Sequence, residues 1–191
     1  HDRAGVHHRG AVAEPGVAVS RRFSDVWRAT ATLGYRVRAR TESLALVRDE
    51  GVDAVDVVTD VAQFEAVEAL AERTLEAFGT CHVLCNNAGV GGGGSIAKAH
   101  LVDWQWVLGV NLWGVIHGIT AFLPILEANG EDGHIVNTAS VAGLVAGPGI
   151  GPYNASKFAV VGISETLFHE LGASGSKVGV SVLCPGYVST N

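Results

Sequence analysis

The sequence predicts an α/β chain built on an open, largely parallel sheet, and three strand-like runs carry that prediction. Val83-Leu84-Cys85 closes on Asn86-Asn87-Ala88-Gly89, His134 to Ala139 closes on Ser140, and Val178 to Leu183 closes on Cys184-Pro185-Gly186. Each is a short apolar run with polar or turn-forming residues at its end, the pattern of a buried parallel strand. Helix-length stretches separate them, as parallel crossovers require. In such a sheet the ligand crevice lies beyond the carboxyl ends of the strands, where these polar tips fall.

The elements become regular from about residue 42. Residues 1–41 offer no clean strand–turn–helix, although Tyr35-Arg36-Val37-Arg38 alternates as a strand does. The glycines at 5, 10, 16 and 34 match neither G-x-x-x-G-x-G nor G-x-G-x-x-G. Glu42 to Glu50 reads as a helix stopped by Gly51, and Val52 to Val58 as a strand ending in Thr59-Asp60-Val61. A helix over 63–78 follows, with Phe64, Val67, Ala71, Leu75 and Phe78 on one face. After the strand at 82–85, the run Gly91–Gly94 invites a phosphate-loop reading, but no Lys-Ser/Thr pair follows it. An active-site loop is the better reading. Asp103, as N-cap, opens a long helix through Asn111 to Glu127, with Pro124 in its last turns. A strand at 134–139, a loop over 140–152, a helix over 153–172 and a strand at 178–183 complete the series.

At 191 residues, with an apolar fraction of 48%, the chain has the size of one domain with its own core. No run approaches the roughly 18 consecutive apolar residues of a membrane span, so no membrane role is expected. Cys81, Cys85 and Cys184 are odd in number and lack C-x-x-C spacing. That argues against a disulfide framework and suits a reducing cytoplasm, with Cys85 and Cys184 as small buried hydrophobes. The net charge of −6 is uneven, since residues 1–48 hold nine arginines and four acids. Those arginines are scattered without aromatic interleaving, and no nucleic-acid partner is expected. The eight histidines show no metal-ligand spacing, so no metal is expected. His82, His117, His134 and His169 read as structural or exposed.

The chemistry concentrates at Tyr153 and Lys157, four residues and so about one helical turn apart on a shared face. A free phenol holds its proton up to about pH 10, and a nearby ammonium favours the ionised form. Such a phenol can trade a proton with an alcohol or carbonyl near neutrality. Ser140, at a strand tip, carries a hydroxyl able to donate to an oxygen as charge develops there. Asn111 is mildly unfavourable inside a helix. Taken singly, the Tyr–Lys pair describes an ordinary surface helix and Asn111 an exposed or helix-end residue. Taken together, they describe a site.

Asn86-Asn87-Ala88-Gly89, Asn111, Ser140, Tyr153-x-x-x-Lys157 and Pro185-Gly186 resemble, in order and spacing, the motifs of the classical short-chain dehydrogenase/reductases over residues 49–191. The resemblance implies a Rossmann-type, doubly wound parallel sheet in three α/β/α layers, as one domain over 1–191. Residues 42–191 would form its recognisable core. It implies NAD or NADP as cofactor and hydride transfer between nicotinamide and a small alcohol or carbonyl substrate. By the same resemblance Tyr153 is general acid in reduction and general base in oxidation. Lys157 also holds the nicotinamide ribose, Ser140 polarises the substrate oxygen, and Asn111 holds a water that links Lys157 to solvent. Asp60 and Val61 would contact adenine, while Asp60 as a helix cap stays open beside that reading. Asn86, Ala88 and Gly89 would line the adenosine ribose. Pro185, Gly186 and Val188 would flank the nicotinamide, and Thr190 would reach its amide or the pyrophosphate. A homodimer or homotetramer through 103–127 and 153–172 is the expected assembly.

Two departures qualify the match. The glycine turn that receives the pyrophosphate has no counterpart in residues 1–41. The codons for His7 to Ala11, read one base later, can spell Ile-Thr-Gly-Ala, so a shifted frame and a divergent segment both stay open. The chain also ends at Asn191, where the resemblance leads one to expect a substrate-covering segment, so a truncation is expected. A catalytically silent product that keeps the motifs but lacks the glycine turn is the alternative reading. The position that selects NAD or NADP falls in the anomalous segment, so the choice between them stays open.

Overall fold

A computed structural model describes residues 14–22, 28–36, 53–92 and 94–187, the first two ranges as strand backbone alone. The elements are β1 (Glu14–Arg22), β2 (Arg28–Arg36), β3 (Asp53–Val57), α1 (Phe64–Phe78), β4 (Val83–Asn86), α2 (Leu101–Leu108), α3 (Gly114–Ala128), β5 (Gly133–Thr138), α4 (Gly151–Ser174) and β6 (Val178–Leu183). A π-helical turn, Gly109–Trp113, joins α2 to α3, and a short 3-10 turn, Val141–Gly143, follows β5. The strands form one six-stranded sheet in the order β3-β1-β2-β4-β5-β6.

β2, β4, β5 and β6 run parallel, which places Leu84 beside Ile135 and Ile135 beside Val180. The α/β class and the parallel half that carries the polar tips are as the sequence predicts. β1 departs from an all-parallel sheet, because it is antiparallel to both β2 and β3. Chain length explains this: residues 23–27 alone join β1 to β2, whereas a parallel crossover takes about a dozen residues or more. Tyr35 and Arg36 fall in β2 as expected. Val37, Arg38, the helix expected over 42–50 with its Gly51 stop, and residue 93 of the glycine run lie outside the described residues, as do Val188 and Thr190.

The crossovers from β3 to β4, β4 to β5 and β5 to β6 all step the same way along the sheet. Right-handed connections therefore put α1, α3 and α4 on one face, and α1 packs on α3 while α4 packs on β5 and β6. Among the described residues these are the sheet and one helical layer of the α/β/α arrangement. The core lies between them, with Val67, Leu70, Leu84, Val107, Phe122, Leu126 and Ile135 fully buried. Burying side chains of this size stabilises the fold by about 1.5–3 kcal/mol each.

Local details correct the sequence reading at several points. The buried stripe of α1 is Val67, Leu70, Ala71, Thr74 and Phe78, so Leu75 is displaced to the edge. Thr74 is admitted because its hydroxyl donates to the Leu70 carbonyl. Gly79 ends the helix in the left-handed region at φ 77°. Asp103 is not the N-cap of α2. His100 occupies that position, and Asp103 Oδ2 accepts its backbone N–H at 2.9 Å. Cys81 is the fully buried cysteine, whereas Cys85 and Cys184 are half-buried. Strand alternation accounts for Cys85: its neighbour Leu84 takes the helix-covered face, so Cys85 takes the other. The stretch Leu101–Ala128 is long and apolar enough to cross a membrane by length and composition, an 18-residue window within it having a mean hydropathy of 1.5. Its Val107, Val110, Val115, Phe122 and Leu126 are buried within the protein, as in a core helix.

Candidate active site

α4 delivers Tyr153 and Lys157. Pro152 sits in its first turn, where a missing N–H costs nothing. Asn154, Ser156, Lys157 and Ser164 are among the residues this helix buries. The buried side of the helix thus mixes these polar groups with the apolar Val160, Leu167 and Leu171. Lys157 is 4% exposed. Its Nζ donates to the Thr138 carbonyl at 2.9 Å and lies 5.6 Å from the centroid of the Tyr153 ring. Loss of water around the buried ammonium pushes its pKa down to about 8, with an opposing, smaller influence from Cys184.

That shift has a sign. Burial disfavours the charged form, so the folded state binds fewer protons than the unfolded chain between about pH 8 and the ordinary lysine value of 10.5. Stability therefore rises with pH across that window. Relative to Lys157→Met, the parent is expected to gain about 2 kcal/mol between pH 8 and pH 10, read from urea midpoints. A constant difference between the two proteins across that range would mean that Lys157 is not buried as an ammonium.

The strand tips are sewn together around this pair. Thr138 Oγ1 donates to Asn87 Oδ1 at 2.9 Å, linking β5 to the end of β4. Val141 N–H donates to the Pro185 carbonyl at 2.9 Å, linking the Ser140 loop to the residues after β6. Ser140 caps the 3-10 turn, its Oγ accepting the Ala142 N–H at 3.2 Å. Accepting that bond leaves the Ser140 hydroxyl its own hydrogen to donate. A Cβ on Gly143 would stand 2.6 Å from the Lys157 carbonyl oxygen. The Ser140 turn thus lies directly against the backbone of the helix that carries Lys157, and only glycine permits that approach.

Asn111 lies in the π turn and is 1% exposed. Its Oδ1 accepts the Val90 N–H at 2.7 Å, and its Nδ2 donates both to the Val90 carbonyl at 3.0 Å and to Ser156 Oγ at 3.1 Å. Ser156 in turn donates to the Tyr153 carbonyl at 2.7 Å. The side chain is a clamp between the loop after β4 and the helix of Tyr153. Both amide hydrogens are committed to protein, so a water-holding task does not fall to the amide Nδ2. A Cβ on Gly89 would meet Lys157 Nζ at 3.6 Å and Asn111 Oδ1 at 3.7 Å, so Gly89 runs beside both.

The adenosine-side residues are placed less uniformly. Asp60 is exposed in the turn after β3, and its Oδ1 accepts the Ala62 N–H at 3.0 Å. It closes an Asx turn and is not the helix cap, since Gln63 occupies that position. Val61 beside it is buried. Asn86 is buried with its side chain in the sheet–helix interface, where Nδ2 donates to Asn137 Oδ1 at 2.8 Å and Asn137 Nδ2 donates to Ser164 Oγ. Its side chain supports the sheet beneath the crevice. Ala88 is buried, while Gly89, Pro185 and Gly186 lie at the surface of the strand ends. Sequence reasoning missed Thr138, Gly143 and Ser156. Ser156 alone carried a local signal, as a small polar residue between Tyr153 and Lys157.

The model for short chain dehydrogenases matches residues 11–191. A CLA biosynthesis dehydrogenase/reductase of Lactiplantibacillus plantarum is 34% identical over 145 residues, 76% of this chain and 51% of its own. The C alpha-dehydrogenase of a Sphingobium species is 32% identical over 183 residues, 95% of this chain and 59% of its own. A short chain dehydrogenase/reductase from Burkholderia phymatum, solved in complex with NAD, superposes with a TM-score of 0.75 at 50% identity, over 77% of this chain and 52% of that one. The chain spans about half the length of the curated relatives it matches. With the family pattern matched over most of its length, and with Tyr153, Lys157, Asn111 and the strand tips assembled at one edge of a parallel sheet, the chain belongs to the short-chain dehydrogenase family.

Proposed function

We propose that this chain carries the catalytic centre of an NAD- or NADP-dependent oxidoreductase that interconverts a secondary alcohol and a carbonyl compound. The observation that carries the reading is the Lys157 ammonium, buried, held by the Thr138 carbonyl and 5.6 Å from the Tyr153 ring centroid. In reduction the Tyr153 hydroxyl hands its proton to the substrate oxygen, and in oxidation it takes that proton back. A positive charge on Lys157, 5.6 Å from the ring centroid, favours the ionised form of the phenol. The Ser140 hydroxyl donates to the same substrate oxygen. A nicotinamide held at Lys157 and the Pro185-Gly186 edge would supply or accept the hydride at the substrate carbon.

The residues present fit two ends of such a cofactor. Lys157 and the Pro185-Gly186 edge suit the nicotinamide riboside, and the Asp60–Val61 turn with Gly89 suits the adenosine. At the pyrophosphate the fit fails among the described residues. β1 leads within five residues into antiparallel β2, with Arg22 opposite Arg28, and no glycine lies in that connection. This hairpin favours a second reading, in which the chain keeps the catalytic residues but binds cofactor too weakly to turn over. Titration of this chain with NADH and NADPH, followed by nicotinamide fluorescence, separates the two. Saturable enhancement supports the enzyme, and no binding at millimolar cofactor supports the silent chain. The dehydrogenase/reductase and dehydrogenase names of two relatives support hydride-transfer chemistry at this centre.

A self-associated state belongs to the same proposal. Trp106 and Trp113, on α2 and the π turn, and Phe158 and Phe168, on α4, are all more than two-fifths exposed. Aromatic surface of this kind is what a second copy of the chain would cover. Trp113→Glu combined with Phe168→Glu is expected to convert an assembled species to a monomer, measured by light scattering after size-exclusion chromatography. An unchanged mass would remove these rings from the interface.

A further inference from the structure

Val61 is held in place by the first turns of α3. His117 Nδ1 lies 2.9 Å from the Val61 carbonyl oxygen. A carbonyl only accepts, so Nδ1 carries the proton and donates. The Val61 side chain is seated on the same helix: a Cβ on Gly114 would stand 2.8 Å from Val61 Cγ2. Ala62 approaches one turn earlier, its Cβ 3.6 Å from the Cβ position of Gly109. The His117 ring is itself steadied by an edge contact with Phe64 and a tilted contact with Trp113, at centroid distances of 5.6 and 5.8 Å. The turn adds two bonds of its own, Ala62 N–H to Asp60 Oδ1 and Gln63 N–H to the Asp60 carbonyl. Those local bonds set the shape of the turn. His117 and Gly114 set its position relative to the sheet and the crevice.

We infer that His117 is a positioning residue for the adenosine end of the cofactor, acting through the Asp60–Val61 turn. This rests on the reading of Asp60 and Val61 as the adenine-facing pair. With the Val61 carbonyl tied back by His117, the exposed Asp60 carboxylate and the Val61 backbone N–H keep a fixed spacing. A ligand that reads both groups then binds without having to order them first. Other donors of the same reach can take the place of the imidazole. An apolar ring of similar size cannot, and it leaves the Val61 carbonyl without its partner.

The test uses His117→Phe, which keeps a ring against Phe64 and Trp113 but removes the donor, and His117→Asn, whose Nδ2 can occupy the place of Nδ1. In the chain without ligand, His117→Phe is expected to speed amide hydrogen exchange at Ala62 and Gln63 by about tenfold while leaving β5 unchanged. It is expected to weaken ADP-ribose by about three- to tenfold and leave reduced nicotinamide mononucleotide unaffected. His117→Asn is expected to restore both readouts toward the parent. Unaltered exchange at 62–63 in His117→Phe overturns the positioning role. Faster exchange with unaltered ADP-ribose affinity overturns the link to the cofactor, and Asp60→Ala then tells why. If Asp60→Ala also leaves ADP-ribose binding unchanged, the adenine assignment of Asp60 has failed. If it weakens binding, that assignment stands and the coupling through His117 alone is wrong.

Discussion

Replacing Tyr153 with Phe is expected to lower turnover by about 10²–10⁴-fold, the usual contribution of a positioned acid–base group. At the midpoint this is roughly 4 kcal/mol of transition-state stabilisation. The substitution is narrow. The Tyr153 ring packs against the main core cluster, and Phe keeps that contact together with the neighbouring Lys157. Melting temperature and NADH affinity are therefore expected to stay near those of the parent. Oxidation of a panel of secondary alcohols, with NAD⁺ and with NADP⁺, reads the effect as kcat at saturating cofactor. Residual turnover within a factor of two of the parent would falsify the role of the phenol as the proton donor and acceptor. The Ser140→Ala variant supplies a useful contrast, since it removes a donor to the substrate oxygen and spares the proton relay.

The parts of this site that sequence reveals are those set by local geometry. Tyr153 and Lys157 share a face because an α-helix repeats every 3.6 residues, so their pairing is readable from spacing alone. The tips of β4, β5 and β6 are readable because a buried parallel strand is a continuous apolar run with a polar end. What holds those tips in place is long-range and leaves no periodic mark. Asn111 and Val90 are distant in sequence yet share two hydrogen bonds. The need for glycine at 143 comes from the Lys157 backbone, not from an unusual φ of its own. The antiparallel course of β1 was likewise hidden, since a nine-residue strand reads the same in either direction. Only the length of the connection at 23–27 bears on it. The helical stripe of α1 was off at Leu75 because Thr74 could be buried once its hydroxyl bonded the preceding turn.

Asn111→Leu is expected to be the most destabilising change near the site, by about 2–5 kcal/mol. Leucine has nearly the same volume, so the loss comes from hydrogen bonding and not from a cavity. The Val90 N–H and carbonyl bond the Asn111 amide in a buried setting, and neither has a route to water while Val90 stays 8% exposed. Leaving a buried backbone donor and acceptor without partners costs about 1–3 kcal/mol each. Ser156, fully buried, loses the amide hydrogen it accepts but keeps its bond to the Tyr153 carbonyl. Ser156→Ala removes that second branch together with the Ser156 bond to the Tyr153 carbonyl, leaves Val90 bonded to Asn111, and is expected to cost about 1–2 kcal/mol. The two variants therefore rank the two arms of the clamp. Urea denaturation measures both, and amide exchange at Val90 gives the local reading, since the freed N–H should exchange with the opening of its loop and no longer with global unfolding. Should Asn111→Leu unfold at the parent midpoint, the loop after β4 is not held by this amide. The close approach of Gly89 to Lys157 Nζ would then need another support, because nothing else described between β4 and the π turn bonds Val90 at both its N–H and its carbonyl.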